Sequence, residues 1–201
     1  MSQIKNFKHI IFSFSLLFFI SCATTIDLNK DNKNNILEGL TSNNPSYKSL
    51  DALLYVDIES QTMLHIKKGT VLKKYDISSS VYGTGSIANS LKTPLGKHEI
   101  YKKIGDKLPV NAILKGRVWN GAIATIIKDP IDTDYDHVTS RIMWLDGLEL
   151  GKNKGDGIDS RDRYIYIHGT AEEGLIGKPA SDGCIRTVSY THLTLPTKRI
   201  V

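Results

Sequence analysis

Short apolar or alternating runs, each cut off by a turn, constrain this chain more than any other feature. Leu53 to Ile58, Met63 to Ile66 and Val71 to Ile77 are separated only by Glu59-Ser60-Gln61 and Lys68-Gly69. Side chains on a strand alternate between faces, so runs this short with polar turn residues between them read as hairpins in a β-meander. Further strand-like runs stand at Lys97 to Tyr101, Arg141 to Leu145 and Tyr164 to His168. Only Asn111 to Ile127 sustains anything like a helical period. The expected fold is therefore mainly β with little helix, and no internal repeat is visible.

The start of the chain has a different character. Lys5 and Lys8 precede an apolar run from Ile10 to Ile20 broken only by Ser13 and Ser15. A basic stretch followed by a short apolar one is the pattern of an export signal, and this run falls short of the roughly 20 residues that span a bilayer. It ends at Phe19-Ile20-Ser21-Cys22. That ending resembles the lipobox of bacterial lipoproteins, in which a small residue precedes the cysteine that receives a diacylglycerol; Phe19 stands where leucine is usual. The resemblance implies lipidation at Cys22 and a membrane anchor, with ordinary signal cleavage and an unmodified Cys22 thiol as the alternative. Ala23 to Tyr47 is rich in Asn, Asp, Lys and Ser and has too little apolar surface to offset its ordering entropy. The expected organisation is a signal over 1–22, a polar tether over 23–49 with at most a short helix around Ile36 to Leu40, and a domain from residue 50.

The formal net charge is +5, but lysines and arginines are scattered and nowhere form a stripe interleaved with aromatics. Nucleic acid is not an expected partner, whereas a polymer bearing carboxylates suits diffuse positive charge. Cys22 and Cys184 are the two cysteines. A bridge between them would tie the leader to the residue with the strongest catalytic context, so none is expected. Gly83-Thr84-Gly85-Ser86 lacks the third glycine and the Lys-Ser/Thr pair of a phosphate cradle and reads as a turn ending a strand. Asp132-x-Asp134-x-Asp136 opens like a calcium loop, yet His137 stands where glycine is needed and Met143 where a bidentate glutamate is needed. It reads as a solvated loop, and no metal or cofactor is expected.

Chemistry is concentrated in Tyr164-Ile-Tyr-Ile-His168-Gly169-Thr170 and in Ser181-Asp182-Gly183-Cys184-Ile185-Arg186. A strand delivers His168 to its end, and a loop containing Gly174, Gly177 and Pro179 folds back to bring Cys184 beside it. A thiol is mostly protonated near neutral pH, so a nucleophilic cysteine needs an imidazole that removes its proton or holds it as an ion pair. Gly183 allows close approach of the main chain, and the N–H groups of Gly183 and Cys184 are candidates to face an oxyanion. Arg186, always charged, is a candidate for binding a substrate carboxylate.

These motifs resemble the L,D-transpeptidase catalytic domain, also called the YkuD-like domain, in which a histidine followed by Gly-Thr precedes Ser-x-Gly-Cys-x-Arg. Tyr82-Gly83-Thr84-Gly85 and Thr93-Pro94-Leu95-Gly96 resemble the family's upstream glycine turn and Thr-Pro-x-Gly signature, and Thr139 to Trp144 and Asp159 to Ile167 its later strands. The likeness covers Leu50 to Thr187. It implies a helix-poor β-sandwich, Cys184 as nucleophile, His168 as base, and Ser181, Gly169, Thr170 and Arg186 at the substrate. It also implies attack on the third-residue carbonyl of a peptidoglycan tetrapeptide stem, release of the terminal D-alanine and transfer to an amine on another stem, giving a 3-to-3 cross-link. Members of this kind accept carbapenems as acylating mimics of the substrate. With the leader, the implied location is the periplasm or cell envelope.

Asp182 stands where many members have a second histidine. Residues 188–201 do not resemble the family and look like read-through at the end of a truncated reading frame, so further strands are expected in a longer parent. Water in place of the acceptor amine would make the same fold an L,D-carboxypeptidase or hydrolase. A non-catalytic wall-associated lipoprotein is the other reading. Papain-like wall endopeptidases place the cysteine before the histidine, the reverse of the order here.

Overall fold

The computed structural model describes residues 37–42 and 44–189. The expected signal, Cys22, most of the tether and the tail from residue 190 lie outside the described residues. Residues 37–42 are helical and Pro45–Ser49 form a 3-10 segment. The regular structure that follows is almost all strand: β1 Leu53–Asp57, β2 Thr62–Lys67, β3 Thr70–Ser78, β4 His98–Ile104, β5 Ala112–Lys115, β6 Val118–Ile123, β7 Val138–Gly147, β8 Tyr166–Thr170 and β9 Ile185–Val188. These strands connect in the order β1-β2-β3-β9-β8-β7-β5-β6, with β4 also paired to β7. The mainly β, helix-poor class expected from the sequence is met.

The opening meander falls where the apolar runs placed it, with β1 and β2 in register from Leu53 opposite Ile66 to Asp57 opposite Thr62. Two expectations are corrected. Residues 111–127 form no helix but the β5–β6 hairpin, because Gly116 and Arg117 take φ of 57° and 68° and turn the chain so that Lys115 pairs with Val118. Left-handed residues at both central positions suit a two-residue hairpin and break a helix. The strand carrying His168 does not end there either: β8 begins at Tyr166 and runs on to Thr170. After Cys184, Ile185–Val188 form β9, which lies between β3 and β8. Pairing a four-residue strand with partners distant in sequence leaves no local periodic signal.

Alternation along β7 and β8 sorts side chains to two covered faces. Ile142 and Trp144 pack with Leu114 and Tyr166 on one face, and Cys184 packs against that same cluster. Met143 and Leu145 pack with Met63, Ile77, Ile167 and Ile185 on the other. Burial on both sides is why these strands read as nearly continuous apolar runs. A pairing irregularity between Thr139 and Ile142 interrupts the β7–β8 ladder, and Thr139 pairs with Ile113 of β5 on the other side. Val188 completes β9, and buried Ser189 bonds through its hydroxyl with that of Thr139 at 2.6 Å.

Candidate active site

The parallel pair β8–β9 sets His168 opposite Arg186 and Ile167 opposite Ile185. With a two-residue period, Tyr166, His168, Cys184 and Arg186 fall on one face, opposite that of Ile167 and Ile185. Half-buried Cys184 immediately precedes β9. Its Sγ accepts the backbone N–H of Tyr166 at 3.4 Å and lies 3.5 Å from the carbonyl oxygen of Tyr164. His168 is 1% exposed, and its Nδ1 is 2.8 Å from the carbonyl oxygen of Gly169. A carbonyl only accepts, so Nδ1 carries the hydrogen and Nε2 is the basic nitrogen. The thiol and imidazole singled out in the sequence thus lie diagonally across two neighbouring strands.

The surroundings favour the neutral forms of both groups. Burial pushes the Cys184 thiol up to about 12; the Asp136 carboxylate acts in the same direction, while the Tyr166 N–H and the Arg186 and Arg163 guanidiniums oppose it. Burial also lowers His168 below the usual imidazole value, Arg186 adding to that and Asp136 and the Gly169 carbonyl opposing it. At neutral pH the resting pair is therefore thiol and neutral imidazole, not thiolate and imidazolium. Alkylation of Cys184 by iodoacetamide should rise steadily with pH through 9 without a plateau near neutrality. A shoulder between pH 5 and 7 would reveal a standing ion pair instead.

Gly183 has φ of 117°, a value that side chains rarely adopt, and an added Cβ would come within 3.3 Å of the Lys92 carbonyl oxygen. The Gly183 carbonyl accepts the Thr93 hydroxyl at 3.0 Å, and Thr93 in turn accepts the Ser80 N–H at 3.0 Å. Arg163 donates to the carbonyls of Gly85 at 3.2 Å and Lys92 at 2.7 Å. The loops that include Tyr82 to Gly85 and Thr93 to Gly96 therefore act on the site by fastening the cysteine turn. Beside that turn opens a groove of about 430 Å³, with Asp162, Arg163, Tyr164 and Asp182 among its walls.

The geometry gives several residues expected at the substrate partners within the protein itself. The Gly183 N–H donates to Ser181 Oγ at 3.3 Å. Fully buried Ser181 donates to the Cys184 carbonyl at 2.5 Å and shapes the turn. Gly169 has no room for a Cβ, which would come within 2.8 Å of Thr139 Oγ1. Buried Thr170 accepts the Glu172 N–H at 3.1 Å. Arg186 is committed elsewhere: its guanidinium, 2% exposed, meets Asp136 at 2.7 Å and fully buried Glu172 at 2.9 Å. Glu172 also accepts the backbone N–H and hydroxyl of Thr133, at 2.9 and 2.5 Å. The loop read as merely solvated therefore supplies Asp136 to a buried charge network in register with His168. The sequence offers no role for Glu172 or Arg163, and marks Asp136 only as part of a solvated loop and Thr93 only as part of the Thr-Pro-x-Gly signature, since their partners are distant along the chain. A carboxylate two residues after His168-Gly-Thr was the one available sign for Glu172.

Among the described residues no three His, Cys, Asp or Glu side chains gather closely enough to hold a metal ion. Fold and site together define a mainly β domain in which the parallel pair β8–β9, with the residue just before β9, sets a thiol and an imidazole on a common face. The chain belongs to the YkuD family, described as the L,D-transpeptidase catalytic domain, whose model matches residues 51–192. Similar solved structures include an L,D-transpeptidase from Xylanimonas cellulosilytica, at 16% identity and TM-score 0.40 over 76% of this chain and 60% of that one. Another, from Mycobacterium smegmatis, has 14% identity and TM-score 0.40 over 75% of this chain and 58% of that one. The catalytic domain of the Enterococcus faecium L,D-transpeptidase acylated by ertapenem has 21% identity and TM-score 0.43, over 76% and 96%. This chain thus spans 60% and 58% of the Xylanimonas and Mycobacterium chains. No curated protein matches it.

Proposed function

We propose that this chain is a peptidoglycan L,D-transpeptidase that works through a Cys184 acyl-enzyme and forms 3-to-3 cross-links between stem peptides. The observation that carries this reading is the placement of Cys184 Sγ at the Tyr166 N–H, on the strand face that also carries His168. His168 Nε2 takes the thiol proton as Sγ bonds to the third-residue carbonyl carbon of a tetrapeptide stem. The Cys184 N–H is the proposed oxyanion donor. Collapse of the tetrahedral species breaks the bond to the terminal D-alanine, whose amine leaves with the proton from His168. An amine of a second stem then attacks the thioester, passes its proton to His168 and releases the thiol.

Mass analysis after incubation with purified tetrapeptide stems tests the reading: a cross-linked dimer with loss of one D-alanine is the expected product. Trimmed monomer alone would make the protein an L,D-carboxypeptidase. No change in the stem would sink both. For location, we propose an exported lipoprotein anchored through Cys22, supported by the signal-like leader and lipobox. Detergent-phase partition of the mature protein, lost in Cys22→Ser, tests it.

A further inference from the structure

We propose that Arg117, at the tip of the β5–β6 hairpin, binds a carboxylate of the donor stem beside Cys184. The proposal rests on the transpeptidase reading for its substrate, but its geometry stands independently. Arg117 Nη1 donates to Tyr166 Oη at 3.2 Å, and the guanidinium lies 4.9 Å from the ring centres of both Trp144 and Tyr164. Tyr166 is also the residue whose backbone N–H holds Cys184 Sγ. One tyrosine therefore links the nucleophile through its main chain and the guanidinium through its phenol.

The contrast with the other described arginines gives Arg117 its meaning. Arg141 and Arg163 donate to main-chain carbonyls, and Arg161 and Arg186 meet carboxylates. Among the described residues Arg117 alone meets neither. Its fork has more N–H donors than the Tyr166 phenol uses, and flat aromatic rings hold a guanidinium without neutralising it. The turn position is also unusual. A φ of 68° favours Gly, Asn or Asp, and Gly116 precedes it at 57°, yet the second position carries a long cation. An arginine at a strained turn position, held on an aromatic shelf against the tyrosine whose N–H meets the thiol, suits bidentate capture of a substrate carboxylate.

Two carboxylates of a tetrapeptide donor share this chemistry: the terminal one on the leaving D-alanine, and one on the side chain of a diamino-acid third residue. The experiment separates them. In a Cys184→Ala background, which stops acylation, calorimetry measures binding of the unmodified peptide and of two peptides carboxamidated at one or the other position. Arg117→Ala should weaken binding of the unmodified peptide about 10- to 100-fold, the scale of a charged hydrogen-bonded pair, with unchanged melting. One of the two carboxamides should bind the Arg117 protein just as weakly and lose nothing further in Arg117→Ala, which identifies the carboxylate. Equal affinity for all three peptides, or an equal loss for all three in Arg117→Ala, would overturn the proposal. Turnover with Cys184 present is scored separately: a peptide that binds through Arg117 without being processed would reject the transpeptidase reading and leave the carboxylate site standing.

Discussion

Cys184→Ala is expected to abolish both acyl transfer between stems and covalent labelling by a carbapenem, while leaving cooperative unfolding nearly unchanged. The residue is half-buried, and what it offers the surrounding cluster is little more than a small apolar side chain. Removing the sulfur therefore removes the proposed nucleophile at small packing cost. His168→Ala should slow acylation by about 10²- to 10⁴-fold, the usual scale for a positioned base. The loss should be at the upper end, because a thiol pushed up to about 12 supplies almost no thiolate of its own at neutral pH. Intact-mass labelling checks both variants. Labelling that survives in Cys184→Ala places the nucleophile elsewhere, and an unchanged rate in His168→Ala means that another group takes the proton.

Glu172→Ala should cost about 3 to 5 kcal/mol of stability, because it leaves the Arg186 guanidinium buried with half its compensation gone. Arg186 and Glu172 are 2% and 0% exposed, and Asp136, the remaining partner, is 32% exposed. A loss of that size is a large share of the ~5 to 15 kcal/mol that holds a typical domain together. The double replacement Glu172→Leu with Arg186→Met should recover much of it, since apolar pairs of similar volume often match or exceed buried ion pairs. Urea unfolding of the single and double variants measures this. A loss below about 1 kcal/mol in Glu172→Ala would mean that water reaches Arg186 and the pair is effectively a surface one. The activity readout matters as well: Arg186 sits in register with His168, so the double variant restores stability without restoring the charges that tune the imidazole.

What the sequence determined by itself was whatever local pattern and residue chemistry express. Alternating runs at Leu53, Met63 and Val71 placed the meander, and a strand carrying His168, which runs on to Thr170 rather than ending there, with a glycine turn before Cys184 marked the candidate pair. Tertiary structure decided the rest. The parallel contact of β9 with β8 sets the faces of Cys184 and His168, and it joins segments whose pairing no short window contains. The same packing turned Arg186, which looked available to substrate, into the buried partner of Glu172 and Asp136. It also raised Arg117 from an apparent helix to the tip of a hairpin beside Tyr166. A charged side chain is legible as a charge in any sequence; whether it meets another chain's carboxylate or its own depends on desolvation and on partners that only the folded molecule brings within reach.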